Sequence, residues 1–147
     1  MKLSTKVRYG TRAMLDLAAH YGNGPVLSKD IARRQEISLK YLDRIFSSLK
    51  VAGLVKSLRG AKGGFILNAA PAKITVSQIV EALEGPLELV ECINNKNFCH
   101  RVNACVMHDI WYELGKAMEV VLKTTTLEDS LIRENKKKKA SGSMYYI

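Results

Sequence analysis

The stretch from Cys92 to His108 holds the residues of this chain best suited to chemistry, since it contains all three cysteines and two of the three histidines. The cysteines follow the spacing C-x6-C-x5-C, and a histidine stands three residues after the last of them. Cys105 and His108 open a helical pattern, where a spacing of three places both on one face of the first turn. Three thiolates and one imidazole form a complete ligand set for a soft metal centre: Cys92, Cys99, Cys105 and His108.

Several kinds of site fit these side chains. Structural zinc sites usually pair cysteines two to four residues apart, whereas gaps of six and five suit a larger object, which favours an iron–sulfur cluster. Plain or redox-active thiols are a further alternative, and an odd cysteine count argues against a set of structural disulfides within one chain. His100 competes as the imidazole ligand, but it directly follows Cys99, and adjacent residues do not readily point the same way. We therefore expect a cluster held with His108, with zinc and redox-active thiols as alternatives.

The composition predicts a folded protein without a membrane partner. The chain has 147 residues, of which 47% are hydrophobic, enough for one domain with a core, or a small domain plus a dimerisation element. It has no apolar run long enough to span a membrane and no apolar signal core behind its basic N-terminus. We expect it to be cytoplasmic, where thiols stay reduced and cysteine clusters more often bind metal.

The positive charge is concentrated in the first half of the chain. The net charge is +9; residues 1–70 hold 13 basic and 4 acidic residues, whereas residues 71–147 hold 10 of each. The first half therefore looks like the part that binds a polyanion, and nucleic acid is the commonest such partner.

The first half also has the pattern of a helix-turn-helix. Ser4 or Thr5 can cap a first helix whose inward positions extend to Tyr21, and Ser28 and Ser38 can cap a second and a third. The third helix has an apolar side that we expect to face the core: Leu39, Leu42, Ile45, Phe46 and Leu49. Its cap and outward side carry groups that can reach base edges and phosphates: Ser38, Lys40, Tyr41, Asp43 and Arg44.

A basic hairpin follows this helix. Residues 54–58 and 65–67 have strand patterns, and R-G-A-K-G-G at 59–64 suits a glycine-rich tip that Arg59 and Lys62 make positive. A phosphate-binding loop does not fit, because no helix and no Lys-Ser/Thr pair follow the glycines. A helix-turn-helix followed by a basic hairpin predicts a winged-helix DNA-binding domain, mainly α with a small β-hairpin wing.

The second half reads as one more helix, the cysteine loop and a dimerisation helix. Thr75 and Gln78 have capping-box spacing. A long apolar stripe then exceeds what so small a domain can cover by itself, which favours a homodimer: Met107, Ile110, Trp111, Leu114, Ala117, Met118, Val121 and Leu122. Thr126 caps a short last helix, and four adjacent lysines begin a tail that we expect to be disordered.

These patterns divide the chain into four parts. We expect a DNA-binding domain at 1–85, a cluster-binding loop at 86–108, a dimerisation helix and short last helix at 105–134, and a disordered basic tail at 135–147. An enzyme is not expected, because the chain has no C-x-x-C, no glycine-rich cofactor loop and no apparent acid–base pair.

Residues 27–65 and the opening M-K-L-S-T-K-V-R-Y-G resemble the IscR-type transcriptional regulators, and the resemblance covers about residues 1–134. The resemblance implies a winged-helix homodimer that swaps its long helix and binds double-stranded DNA at a near-palindromic operator. It implies a cluster-dependent regulator, expected to be a repressor, that senses cluster status, redox state or iron. A zinc- or thiol-redox-dependent regulator of the same fold remains the alternative.

The resemblance also carries roles for particular residues. Cys92, Cys99, Cys105 and His108 are similar to the [2Fe-2S] ligand set of this branch, although the first gap is one residue longer here. Relatives with a [4Fe-4S] cluster can use an aspartate where this chain has Arg8, which cannot ligate, so [2Fe-2S] is preferred over [4Fe-4S]. Asp43 stands where the branch has an operator-discriminating glutamate, and Arg59 matches the wing arginine that enters the minor groove.

Overall fold

The computed structural model describes residues 2–144 and confirms a mainly helical chain with one small β-hairpin. The elements, in chain order, are α1 Thr5–Ala19, α2 Ser28–Gln35, α3 Leu39–Val51, β1 Val55–Leu58, β2 Gly64–Leu67, α4 Val76–Glu84, α5 Val106–Thr124 and α6 Leu127–Met144. Short 3-10 turns lie at Pro71–Lys73, Glu91–Ile93 and Val102–Ala104. None of the described helices is long and apolar enough to cross a membrane.

Most of the predicted helix starts are confirmed by their capping hydrogen bonds. The Ser4 hydroxyl accepts from the Val7 amide at 3.2 Å, and the Ser38 hydroxyl accepts from the Tyr41 amide at 3.3 Å. Thr75 and Gln78 form a full capping box at the start of α4. The predicted cap at Ser28 is wrong: Ser28 is the first helical residue of α2, and Leu27 precedes it without a side-chain cap.

The core lies between α1, α3 and α4. Four side chains of α3 are completely buried: Leu42, Ile45, Phe46 and Leu49. Leu39 and Tyr21, both predicted to face inward, are instead 44% and 51% exposed. Leu39 starts the first turn of α3, before the helix enters the core, and Tyr21 lies past the end of α1.

A glycine lets α1 and α4 approach closely. A Cβ atom at Gly10 would lie 2.2 Å from Cδ1 of Leu83 and 3.3 Å from Cγ2 of Ile45. A larger residue there would have to displace the Leu83 side chain within the packed core.

The hairpin forms as predicted and is held against α3. Its strands are antiparallel, from the pair Val55–Leu67 to the pair Leu58–Gly64. The Phe65 ring stacks on Phe46 of α3 at 4.3 Å between centroids.

An isolated β-bridge, not predicted, also pairs Val26 with the hairpin. Val26 and Phe65 exchange both backbone hydrogen bonds, at 2.9 and 2.8 Å. This bridge ties the segment before α2 to the wing.

A buried carboxylate fixes α2 against α1. Asp16 of α1 is only 6% exposed. The Arg34 guanidinium donates to both of its oxygens, at 3.0 and 2.6 Å, and the Gln35 amide donates at 2.9 Å. Burial by itself would raise the pKa of Asp16, but the hydrogen bonds from Arg34 and Gln35, with the charge of Arg34, outweigh burial and lower that pKa below 3.8.

The last helix is longer than predicted. The four lysines at 136–139 lie inside α6, which continues to Met144, so the prediction of a disordered tail is wrong for residues 135–144; residues 145–147 lie outside the described part of the chain. Lysine, alanine and glutamate favour helix, and Lys138 pairs with Glu134 one turn earlier at 3.3 Å. The start is as predicted, because Thr126 and Asp129 hydrogen bond reciprocally.

We predict that Asp16→Asn destabilises the protein by about 2–3 kcal/mol at pH 7, since it leaves the guanidinium of Arg34 without its partly buried counter-charge. Because folding lowers the Asp16 pKa, the stabilisation is present above 3.8 and is lost as the pH falls through the lower folded-state value. Urea unfolding at several pH values measures both effects.

Asp30→Asn is the matched control, because Asp30 pairs with Arg33 at 3.5 Å on the exposed side of α2. Exposed pairs of this kind contribute at most about 1 kcal/mol. A loss of stability in Asp30→Asn equal to that in Asp16→Asn would contradict a special role for the buried carboxylate.

Candidate nucleic-acid interface and candidate metal-binding loop

The turn between α2 and α3 sets the direction of the candidate recognition helix. Glu36 ends α2 in the left-handed region, with φ 54°, and among the described residues other than glycine it is alone in having a positive φ. Ile37 then enters the core at 6% exposure. This tight reversal lets α2 and α3 pack together and leaves the start of α3 projecting from the domain.

The predicted base-reading residues lie on this projecting end. Lys40, Asp43 and Arg44 are exposed, on the side of α3 opposite its buried face. Ser38 is exposed as well, although its hydroxyl oxygen already caps the helix. The structure therefore brings these four predicted residues together on one accessible surface.

Tyr41 differs from its neighbours because it is half-buried. Its ring meets the Tyr9 ring of α1 edge to face, with centroids 5.9 Å apart. The Arg12 guanidinium lies 5.6 Å from the centroid of the same Tyr9 ring. Arg12 also donates to the side-chain and backbone oxygens of Gln35. Tyr41 is thus held in place from behind by α1.

Tyr9, Arg12 and Gln35 were not among the residues singled out from the sequence. The sequence gives little indication of their role, because the contacts of Arg12 with Gln35 and of Tyr9 with Tyr41 join positions more than twenty residues apart. They position the first turn of α3, and Arg12 adds an exposed positive charge beside it.

The hairpin tip presents the two predicted basic residues to solvent. Arg59 and Lys62 are both exposed. Gly63 has no room for a side chain, because a Cβ atom there would lie 2.3 Å from the Leu58 carbonyl oxygen. The Lys50 ammonium donates to the Ser57 hydroxyl at 2.7 Å, which links the end of α3 to β1. The wing tip is thus attached to the same helix that carries the candidate base-reading residues.

The predicted metal ligands lie along the connection between α4 and α5. Cys92 is in the 3-10 turn Glu91–Ile93, Cys99 is in the following loop, and Cys105 is the residue before α5. All three cysteines are free and half-buried. His108 lies in the first turn of α5, and its side chain is 19% exposed.

The described conformation does not gather these ligands around one ion. Within residues 2–144, no group of three His, Cys, Asp or Glu side chains is placed to hold a metal ion. The backbone hydrogen bonds of the loop are short in range, such as Phe98 to Asn95 and Val102 to Cys99. No strand pairing in the described residues fixes where Cys99 lies relative to the other cysteines. The start of α5 fixes the spacing of Cys105 and His108, whereas the position of Cys99 depends on the loop.

The donor set itself suits a cluster. The thiols are not tied up in disulfides, and His108 has only a distant neighbour, the Asp109 carboxylate at 3.5 Å from Nδ1. His100 is exposed, whereas His108 is half-buried and lies in the first turn of α5, three residues after Cys105. The start of a helix also favours an anionic centre. These features make His108 the better candidate of the two histidines.

The fold and the basic face define a winged helix-turn-helix transcriptional regulator. The family model described as "Rrf2: Iron-dependent Transcriptional regulator" matches residues 3–133, and the chain belongs to that family. This membership confirms the prediction of a regulator rather than an enzyme.

Relatives and solved structures agree with this assignment. The chain is 42% identical to the HTH-type transcriptional regulator CymR of Bacillus subtilis over 129 residues, 88% of each protein. It is 38% identical to the HTH-type transcriptional regulator IscR of Aliivibrio salmonicida, over 90% of this chain and 78% of that one. The structure of T. potens IscR superposes with a TM-score of 0.79 at 42% identity, covering 99% of this chain and 97% of the other.

We predict that Arg59→Ala weakens operator binding by about 1–3 kcal/mol, because a guanidinium in a narrow minor groove responds to its width and potential. Arg59→Lys is the matched control. It keeps the positive charge but loses the planar guanidinium, so its affinity for the operator should lie between those of the unmodified protein and Arg59→Ala.

Asp43→Ala should instead change which sequences bind, since a carboxylate accepts from cytosine N4 but repels phosphate.

Fluorescence anisotropy on DNA selected from a random pool by the unmodified protein measures both effects. If Asp43→Ala weakened binding equally on all selected sequences, the assigned role of Asp43 in discrimination would be wrong.

Proposed function

We propose that the protein is a homodimeric repressor whose affinity for a near-palindromic operator depends on a [2Fe-2S] cluster held by Cys92, Cys99, Cys105 and His108. The observation that carries the proposal is that all three cysteines are free and half-buried along the connection leading into α5, a helix that has no buried residue of its own. A cluster at that position would change where α5 starts relative to its own domain, and α5 is the helix that we assign to the dimer interface.

The donor set supports a cluster more than a single ion. The long gaps between the cysteines suit a site with two irons better than a site with one metal ion. The family is described as iron-dependent, and two of the relatives reported above carry the name IscR. When bound, a [2Fe-2S] cluster would supply a one-electron redox centre whose presence also depends on iron supply.

The proposed dimer rests on the two sides of α5. One side is half-buried against α4 and the loop: Trp111, Gly115, Met118 and Leu122. The other repeats at alternating intervals of three and four and is exposed: Met107, Ile110, Leu114, Ala117 and Val121. This spacing is the a/d seam of a two-helix coiled coil. Met107, Ile110, Leu114 and Val121 are 45%, 44%, 37% and 61% exposed, so a second copy of α5 would cover apolar surface that this chain leaves open.

The two ends of α5 link the loop to the winged-helix domain. Its first residue follows Cys105 directly, and its end is fixed where the Val76 amide donates to the Thr125 carbonyl at 2.9 Å. Leu127 then donates to the Ile74 carbonyl at 2.9 Å. A change in the loop therefore has a direct mechanical route through α5 to the start of α4.

A thiol-based regulator without a cluster is the second candidate. It is favoured by the relative named CymR and by the solved structure of the oxidised form of Staphylococcus aureus CymR, which is 34% identical over 89% of this chain. Half-buried free cysteines suit such a role as well. The visible spectrum of anaerobically purified protein separates the two candidates, because only a cluster absorbs strongly there.

We predict that replacing Cys92, Cys99 or Cys105 by alanine abolishes the cluster spectrum, since the loss of one thiolate opens an iron site. His108→Ala should leave a labile cluster that is lost within a buffer exchange, because imidazole is a neutral, exchangeable ligand. His100→Ala is the matched control and should keep the wild-type spectrum. Loss of the spectrum in His100→Ala with retention in His108→Ala would reverse the assignment of the fourth ligand.

The same proteins test the regulatory part of the proposal. Cluster-loaded protein and the triple cysteine-to-alanine variant should differ in operator affinity by about 1–3 kcal/mol, the usual size of allosteric coupling, measured anaerobically at one salt concentration. Equal affinities on every operator would make the cluster structural and remove the sensing function.

We predict that Leu114→Glu converts the dimer to a monomer, because a charge at the centre of the α5 seam cannot be buried against its copy. Glu113→Gln changes the adjacent exposed residue outside the seam and serves as the control. Light scattering at micromolar concentration measures the mass. A dimer that persists in Leu114→Glu would place the interface elsewhere.

A further inference from the structure

The C-terminal half of α6 carries a concentrated positive charge. Residues 135–147 contain four lysines and no acidic residue, whereas residues 71–134 contain 6 basic and 10 acidic residues. All four lysines are exposed, and the nearest acidic partner is Glu134, which pairs with Lys138. The otherwise acidic second half of the chain thus carries a basic segment in the C-terminal half of α6.

This segment lies beside the helix-turn-helix. Glu134 and Lys138 line an open cleft of about 470 Å³ together with residues of α1 and α2. The α1 and α2 side of the cleft includes Arg12, Arg34 and Gln35. Gln35 is the last residue of α2, so Lys138 stands close to the turn that leads into α3.

A continuous series of contacts joins the cleft to the candidate recognition helix. Arg12 lines the cleft, donates to Gln35 and lies over the Tyr9 ring. Tyr9 in turn meets Tyr41 in the first turn of α3. Lys138 of α6 therefore lies at one end of a strip of polar and charged residues whose other end is the proposed DNA-reading surface.

We propose that Lys136, Lys137, Lys138 and Lys139 extend the DNA interface by contacting phosphates that flank the half-site bound by α3, a proposal that rests on the proposed DNA-binding function. In helix-turn-helix proteins the helix before the recognition helix crosses the DNA backbone, and here α6 lies beside the end of that helix. Lysine suits phosphate because it acts as a flexible point charge that needs no fixed geometry.

The helix limits how many of these contacts form at once. Successive helical residues are turned by about 100°, so the four lysines surround the axis and roughly two can face one surface. Lys137 and Lys139 each lie about 100° from Lys138, which lines the cleft and pairs with Glu134, whereas Lys136 lies on the opposite side of the helix. About two phosphate contacts per protomer, or about four per dimer, would lower the salt slope of binding by about 3–4 units when they are removed.

The test compares full-length protein with K136Q/K137Q/K138Q/K139Q on a 30-base-pair duplex of mixed sequence, by anisotropy between about 50 and 200 mM KCl. The glutamine variant should bind at least tenfold more weakly at the lowest salt, and its slope of log affinity against log salt should be shallower by two units or more. The arginine variant K136R/K137R/K138R/K139R should keep the wild-type slope. Lysine, glutamine and arginine have similar helix propensities, so circular dichroism should be unchanged in both.

A further variant, K96Q, removes an exposed charge in the cysteine loop, outside α6 and the helix-turn-helix, and should leave the slope unchanged. A glutamine variant with the wild-type slope would overturn the proposal. The proposal would also be wrong if the glutamine variant bound single-stranded RNA more weakly than the wild-type protein did but bound duplex DNA equally well. If the wild-type protein and the arginine variant both failed to bind the duplex, the DNA-binding function itself would be wrong. If those two proteins bound the duplex and the glutamine variant had the same salt slope, only the proposed role of α6 would be refuted.

Discussion

Complete burial of one side of α3 is the constraint on which the arrangement of this protein depends. Leu42, Ile45, Phe46 and Leu49 are each 0% exposed, and burying a side chain of this size contributes about 1.5–3 kcal/mol. With four such anchors, α3 cannot turn about its own axis, so its opposite side must face solvent. Phe65 stacks on one of these anchors, which places the hairpin at a fixed position relative to the same helix. Recognition helix and wing therefore form one rigid surface.

Sequence patterns predicted those parts of the fold that local physics determines. The spacing of apolar residues gave the buried side of α3, and the hydroxyl and amide residues gave the caps at Ser38 and Thr75. The misses arose where distant parts of the chain decide the outcome. Nothing local distinguishes Asp16 from a solvated aspartate, because its partners Arg34 and Gln35 come from the next helix. The pairing of Val26 with the hairpin has the same cause.

The candidate sites divide in a similar way. Exposure of Lys40, Asp43, Arg44 and Arg59 follows from helix and hairpin periodicity, so sequence sufficed to place them. The spacing of the cysteines identifies possible ligands but contains no information on how the loop brings them together. Four adjacent lysines suggested a disordered tail, because runs of like charge repel. In the structure they continue a helix already started by the Thr126–Asp129 cap and the burial of Leu127, which offset the nucleation cost of the helix.

The geometry of α5 explains why a small change in the loop can matter to DNA binding. At 1.5 Å per residue, its 19 residues span about 28 Å. The end near Thr125 is tied by backbone hydrogen bonds to Ile74 and Val76, whereas the end at Cys105 is held by the loop. A displacement of about 3 Å at the loop end would therefore rotate the helix by about 6°, by simple leverage over that length.

In a dimer built on α5, such a rotation is applied to both winged-helix domains in opposite senses. The hydrogen-bonded end of α5 at Thr125 would transmit this rotation to α4. That helix is in close contact with α1 at Gly10 and packs against the core side of α3. Two recognition helices must meet half-sites about one DNA turn apart, roughly 34 Å, with little tolerance. Under the proposed function, a loop that orders differently with and without a cluster would lie where a change of a few ångströms alters the match to DNA, while the buried core of each domain stays intact.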